Sequence, residues 1–161
     1  MTLYKQWIAA GCCLVLALLV GCGSGDDGPS KEEFASQANA VCFKANSTAG
    51  SKLVASYELP KVKNATRATN SEVEVEVYLP ILVKDAESQL KGIKALGAPS
   101  DEEEEVEALT KSYEAWLKKA EEVPAKVTSG NDIYNDAREL AGKMGLAKCE
   151  QTPFEEPYAL G

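Results

Sequence analysis

The chain has 161 residues, of which 25 are acidic and 17 basic, giving a net charge of −8. This acidic balance argues against nucleic-acid binding, which needs a basic patch, and against recruitment by anionic lipid headgroups. Histidine is absent, which removes the commonest general base and the commonest transition-metal ligand. No nucleophile with a base and an orienting group stands out either. We therefore expect no catalytic residues, no cofactor and no metal site.

Residues 1–21 have the features of a secretion signal. Lys5 is the only charge there, and an apolar run covers residues 8–20. Its length is typical of the apolar part of a signal peptide. A membrane-spanning helix needs about 20 apolar residues, and residues 21–25 are already polar and flexible. The transmembrane interpretation is therefore the weaker one.

The apolar run ends in Leu19, Val20, Gly21 and Cys22, which resemble the bacterial lipobox. The resemblance implies cleavage before Cys22 and a diacylglyceryl group on its thiol, often with acylation of the new amine. Two or more acyl chains give durable attachment. We expect a mature protein held on the extracytoplasmic face of the cell membrane through the lipid on Cys22. An ordinary small residue closing a signal peptide is the alternative.

The rest of the chain divides by composition. Residues 22–29 predict a flexible linker, and residues 30–150 have the length of one domain with one core. Residues 151–161, with two prolines, predict an irregular tail. Processing leaves Cys42 and Cys149 as an even pair in an oxidising compartment, which predicts a disulfide. Two buried free thiols are the alternative.

The first predicted helix begins at a capping box formed by Ser30 and Glu33. Apolar residues recur at helical spacing from Phe34 onward and include Cys42. The helix is predicted to end near Tyr57, and residues 61–70 read as a loop.

The second segment allows two interpretations. Residues 73–77 alternate between valine and glutamate, which is typical of a strand. A helix is favoured because a lone strand would lack a partner. Asn70 or Ser71 would cap this helix, Gly97 would end it, and Pro80 would kink it or start it afresh. Its predicted inner stripe is Val75, Leu79, Leu82, Ala86, Leu90, Ile93 and Leu96.

A third helix is predicted to open at a second capping box, Ser100 to Glu103. Its outer face would pair Glu107 with Lys111 and Glu114 with Lys118, and Pro124 marks its end or a kink. The predicted inner face is Val106, Leu109, Tyr113, Trp116, Leu117 and Ala120.

A fourth helix is predicted to start at Asn131 or Asp132 and to end at Gly145, with Leu146 making an apolar contact. Its predicted inner face is Ile133, Ala137, Leu140, Ala141 and Met144. Four amphipathic helices with short connections predict an all-α fold, an antiparallel four-helix bundle. The disulfide would tie the first helix to the exit of the fourth, which such a bundle places side by side.

Residues 34–46 and 144–149 resemble the opening and closing segments of a group of small exported helical lipoproteins of actinobacteria, which has no characterised activity. In that group, a helix led by phenylalanine carries a cysteine followed by Lys-Ala-Asn, and a Gly-Leu-x-x-Cys pattern closes the domain. Phe43 stands where the group has a small residue. The resemblance implies a disulfide-tied helical domain and transfers no functional residues.

Two patterns could indicate a ligand site. The acidic run Asp101 to Glu105 could bind calcium, but a continuous run at a helix start is typical of charges that favour the helix dipole. Tyr113 and Trp116 could form a ligand box, but aromatic residues at helical spacing are more typical of a core.

These observations leave two hypotheses. The first is a non-catalytic binding or scaffolding module for another envelope protein, which predicts an exposed apolar patch of more than a few hundred Å². The alternative is a small-molecule or lipid carrier. It predicts an internal apolar cavity of roughly 300 Å³ or more between the helices, with Pro80 and Gly92 opening the space.

Overall fold

The computed structural model describes residues 28–67, 69–127 and 133–154. The predicted signal peptide, the lipobox with Cys22, most of the linker, the predicted helix start at Asn131 or Asp132 and the last seven tail residues lie outside these ranges. Within them, the regular structure is helical and contains no strand, which confirms the all-α class. None of the described helices is long and apolar enough to cross a membrane.

The described chain forms seven α-helices, with a π-helical segment between the third and the fourth. The elements are α1 (Lys31–Ser56), α2 (Pro60–Lys63), α3 (Asn70–Val73), the π segment (Glu74–Tyr78), α4 (Leu79–Leu96), α5 (Glu103–Glu122), α6 (Pro124–Val127) and α7 (Asn135–Lys143). The long helices pack in sequence order: α1 on α4, α4 on α5, and α5 on α7.

Helix α1 begins as predicted. The Glu33 amide donates to Ser30 Oγ at 3.2 Å, and the Ser30 amide donates to Glu33 Oε2 at 3.1 Å, so both halves of the capping box are formed. The helix ends at Ser56. The loop predicted for residues 61–70 is only partly present because α2 occupies its start. Pro60 is the first residue of α2, where its missing N–H leaves no bond unmade.

The second segment is helical, so the strand interpretation was wrong. The predicted caps at Asn70 and Ser71 are also wrong, since the helix starts at Asn70 after Thr69, which caps nothing with its side chain. Thr69 Oγ1 instead accepts from the amide of Thr66 at 2.9 Å. Pro80 cannot donate to a preceding carbonyl, and the π-helical segment ends two residues before it, at Tyr78. Such a segment is a common local response to an interrupted hydrogen-bond ladder.

The capping box predicted for the third helix is wrong. Helix α5 begins at Glu103, and Glu102 precedes it without a side-chain cap. The carboxylate of Glu102 is instead mostly buried and pairs with Lys31 of α1, so a contact between helices overrides the local pattern.

The surface pairs of α5 match the prediction in part. Glu107 and Lys111 form the expected pair at 2.6 Å. Glu114, however, pairs with Lys94 of α4, while Lys118 lies 3.8 Å from Glu122. The lysine of the neighbouring helix α4 has replaced the expected partner four residues along.

Helix α7 starts later than predicted, at Asn135, because Ile133 and Tyr134 are not helical and Tyr134 has φ 49°. The end of α7 is as predicted. Gly145 has φ +71°, which favours glycine because it has no Cβ. The Leu146 amide donates to the Ala141 carbonyl at 2.8 Å, and the Gly145 amide donates to the Gly142 carbonyl at 3.1 Å. This is a complete Schellman motif, and the Leu146 side chain is buried beneath it.

The disulfide between Cys42 and Cys149 is present, so the free-thiol alternative was wrong. The two sulfurs lie 2.04 Å apart, the Cα atoms 5.0 Å apart, and 107 positions separate the residues in sequence. Both cysteines are fully buried in the same apolar core as α1, α4, α5 and α7. The bond therefore joins the middle of α1 to the segment that follows α7.

Candidate ligand groove between α1 and α4

A groove of ≈ 450 Å³ lies between α1 and α4. Its rim carries exposed residues, so it opens to solvent. Small and apolar side chains line its walls, and these are Val41, Ala45, Ala49, Ile81, Gly92 and Ala95. A space of this size suits a small organic molecule.

Two contacts along the groove fix the register of α1 against α4. A Cβ at Gly92 would come within 2.4 Å of Val41 Cγ1, so glycine lets the helices approach here. Gln89 Nε2 donates to Asn46 Oδ1 at 3.1 Å. Position 41 therefore faces 92, and 46 faces 89, which makes the two helices antiparallel.

Four lysines line the groove. Lys44 and Lys52 come from α1, and Lys84 and Lys91 come from α4. The antiparallel register places Lys44 level with Lys91, the first lysine pair, and Lys52 level with Lys84, the second lysine pair. Eight helical residues separate the pairs along α1, or about 12 Å at 1.5 Å per residue. Thr48 and Ser88 add hydroxyls between them.

The groove lysines differ from other lysines of the described ranges. None of the four forms an ion pair with a described carboxylate, although the chain as a whole is acidic. Seven other described lysines do pair with a carboxylate, and these are Lys31, Lys61, Lys63, Lys94, Lys111, Lys118 and Lys143. The charged residues that line the groove are four lysines and Asp85, so its lining carries a net positive charge.

One acid lines the groove, Asp85 of α4, and it is only 3% exposed. Its Oδ2 accepts from Gln89 Nε2 at 2.9 Å and lies 3.0 Å from the Tyr134 hydroxyl. Its Oδ1 is buried and has no hydrogen-bond partner among the described residues. Burial raises the pKa of Asp85 to about 7, although hydrogen bonds from Tyr134 and Gln89 act in the opposite direction.

A network of buried polar groups lies behind Asp85. Tyr113 donates to Gln89 Oε1 at 2.6 Å, and Asn46 Nδ2 donates to the carbonyls of Lys148 at 2.9 Å and Gln151 at 3.2 Å. The side-chain amides of Asn46 and Gln89 therefore have all their hydrogens engaged. The network links α1, α4 and α5 to the segment after α7 and makes the wall behind the groove well defined.

Tyr134 is a member of this network that the sequence analysis missed. It precedes α7 with φ 49°, the left-handed region that a tyrosine seldom adopts. Its hydroxyl lies 3.0 Å from both the Leu82 carbonyl and Asp85 Oδ2. Burial raises its pKa well above the usual value, and the nearby Asp85 adds to this. Asp85 and Leu82 lie 49 and 52 positions away from it in sequence, so no local sequence pattern predicts these contacts.

The aromatic pair considered as a ligand box belongs to the core. Tyr113 and Trp116 are buried, and neither lines the groove. Trp116 meets Tyr134 edge-on, with ring centres 4.6 Å apart. The acidic run lies at the start of α5, with Glu103 to Glu105 in its first turn. Across the described ranges, no three residues of the metal-binding types converge.

The structure brings Cys42 and Cys149 together as predicted, but it places the candidate site elsewhere. The sequence shows no basic cluster, since the groove lysines come from two helices about 40 residues apart. The available signal was the two-turn spacing of Lys44 with Lys52 and of Lys84 with Lys91. No family model, curated protein or solved structure matches this chain.

Proposed function

We propose that this protein is a non-catalytic lipoprotein of the cell envelope that binds a small molecule in the groove between α1 and α4. Its anchor would be the lipid on Cys22, on the extracytoplasmic face of the membrane. The tetrapeptide from Leu19 to Cys22 and the flexible linker support this location. We further propose that α1, α4, α5 and α7 form an antiparallel four-helix bundle, an arrangement supported by their successive contacts.

The observation that carries the binding function is the groove itself. Its ≈ 450 Å³ exceeds the roughly 300 Å³ expected for a carrier. Of the two residues expected to open the space, Gly92 lines the groove and Pro80 does not. The expected cavity was internal, whereas this one opens to solvent. An open groove allows a ligand to enter and leave without unfolding of the helices.

Photochemical crosslinking at the groove tests this function. A small diazirine amino acid replaces Ser88, which lines the groove, or Ala115, an exposed residue of α5 that serves as the control. Cells that produce the full chain are irradiated, and the purified protein is weighed by mass spectrometry. We expect an adduct of small-molecule mass at position 88 and none at 115. Identical adducts at both positions, or no adduct at 88, would contradict the proposal.

A second candidate, the scaffolding module, is favoured by one surface. Val54, Tyr57 and Leu59 lie within six positions at the end of α1 and are 48%, 45% and 46% exposed. Exposed apolar patches often mark protein interfaces. The same crosslinking amino acid at Val54 tests it. A protein-sized adduct that disappears in a Leu59→Ser background would support the scaffold, and the absence of such an adduct would argue against it.

A further inference from the structure

The charges around the groove point to the chemical class of its ligand, and this step rests on the proposed function. The two lysine pairs lie about two helical turns apart along the groove, with Ala45, Ala49 and the hydroxyls of Thr48 and Ser88 between them. We propose that the groove binds an organic dianion whose two acidic groups meet the two lysine pairs and whose middle is uncharged.

The sign of the ligand's charge follows from the absence of described ion pairs at the four groove lysines. These four lysines form no ion pair with a described carboxylate, whereas seven other described lysines do. Four ammonium groups around one groove repel one another, and a bound anion relieves this repulsion. The groove can therefore attract an anion even though the protein as a whole is acidic.

The middle of the ligand follows from the residues between the two lysine pairs. Ala45 and Ala49 offer apolar contacts there, and Thr48 and Ser88 offer hydroxyls. These four side chains are uncharged, so they favour an uncharged segment of the ligand. The acidic groups belong beside the lysine pairs, where the positive charge lies.

The spacing of the lysine pairs sets the length of the ligand. The pairs are about 12 Å apart along α1 and about 10 Å apart along α4, where seven residues separate them. An ammonium group binds carboxylate and phosphate alike, so the shared requirement is two anionic ends at that distance. A molecule with one acidic end would use only one pair.

Calorimetric titration of the full lipoprotein in phosphatidylcholine nanodiscs tests the proposal. The probes are straight-chain dicarboxylates and bisphosphonates of graded length, with monocarboxylates and diols of matching length. We expect affinity to peak where the anionic ends match the lysine spacing, about tenfold above the matching monocarboxylate at low salt. The advantage should shrink as salt is raised.

Charge-neutral variants assign the effect to the groove. Lys44→Gln with Lys91→Gln removes the first pair, and Lys52→Gln with Lys84→Gln removes the second. Each double variant should lose the preference for dianions. The control, Lys111→Gln with Lys143→Gln, removes two lysines whose carboxylate partners lie outside the groove and should keep it. All of these lysines are exposed, so the fold should tolerate the changes.

Several results would overturn the proposal. They are equal binding of mono- and dianions, equal losses in the groove and control variants, binding of acidic peptides but no dicarboxylate, or no binding of any probe. If neutral diols bind as well as dianions and Ala95→Leu abolishes both, the small-molecule function stands and the dianion inference fails. Ala115→Leu, on the exposed face of α5, is the control for that filling of the groove.

Discussion

Replacing Asp85 with asparagine should change how the stability of the protein depends on pH. The carboxyl is 3% exposed, and burial raises its pKa from 3.8 to about 7. In the unfolded chain the same group regains an ordinary pKa. The folded protein therefore holds a proton between about pH 4 and 7 that the unfolded chain has lost, and its free energy of unfolding falls as the pH rises.

The magnitude follows from the size of the shift. One pKa unit corresponds to about 1.4 kcal/mol, so a shift of about three units costs the folded protein about 4 kcal/mol above pH 7. Asparagine has no proton to lose, and its oxygen can still accept from Gln89 and Tyr134. Its amide nitrogen would take the place of the unpartnered Oδ1 and cost about 1–3 kcal/mol at every pH. The quantity to test is therefore how the difference in unfolding free energy between the two proteins changes with pH.

Chemical unfolding of both proteins at pH 4, 5.5 and 8, without reductant, provides the measurement. We subtract the free energy of unfolding of the wild type from that of Asp85→Asn at each pH. This difference should be about 4 kcal/mol larger at pH 8 than at pH 4. Asp136→Asn, at an exposed residue of α7, should show no such rise. Parallel pH profiles for the wild type and Asp85→Asn would refute the argument, because Asp85 would then have the same pKa in the folded and the unfolded chain.

Three further predictions concern the fold. Replacing Cys42 and Cys149 with serine opens a loop of 107 positions and should lower the free energy of unfolding by about 5 kcal/mol; an unchanged urea midpoint would show that the bond is not stabilising. Ser30→Ala removes the capping oxygen of α1 and should cost about 1 kcal/mol, whereas Ser36→Ala, on the exposed face of the same helix, should cost nothing measurable. Gly145→Ala places a Cβ at φ +71° and should cost about 1 kcal/mol, seen as a lower melting temperature; equal melting temperatures would contradict the left-handed cap.

The parts of the fold that were predictable depend on neighbours in sequence. Residues that lie close together in sequence determine three features: the capping box at Ser30, the apolar face of α5 and the glycine turn at Gly145. The wrong caps show the limit of such patterns. Glu102 pairs with Lys31 instead of serving a local box, and this partner lies 71 positions away.

The candidate site was beyond local patterns for the same reason. Asp85 and Gln89 are polar, so the apolar periodicity of α4 predicts that they face solvent, yet both are buried. They are accommodated because Tyr113, Tyr134 and Asn46 offer hydrogen bonds from distant segments. The groove likewise exists only once α1 and α4 meet in register, which the spacing within either helix does not reveal.

The most direct test of the central proposal is native mass spectrometry of the lipoprotein purified from its own membranes without reductant. We predict a chain that starts at an acylated Cys22, lacks two hydrogens for the Cys42–Cys149 bond, and carries a small acidic molecule. The molecule should be absent when both lysine pairs are changed to glutamine. A protein that is not acylated, or one that carries no ligand in either form, would contradict the account.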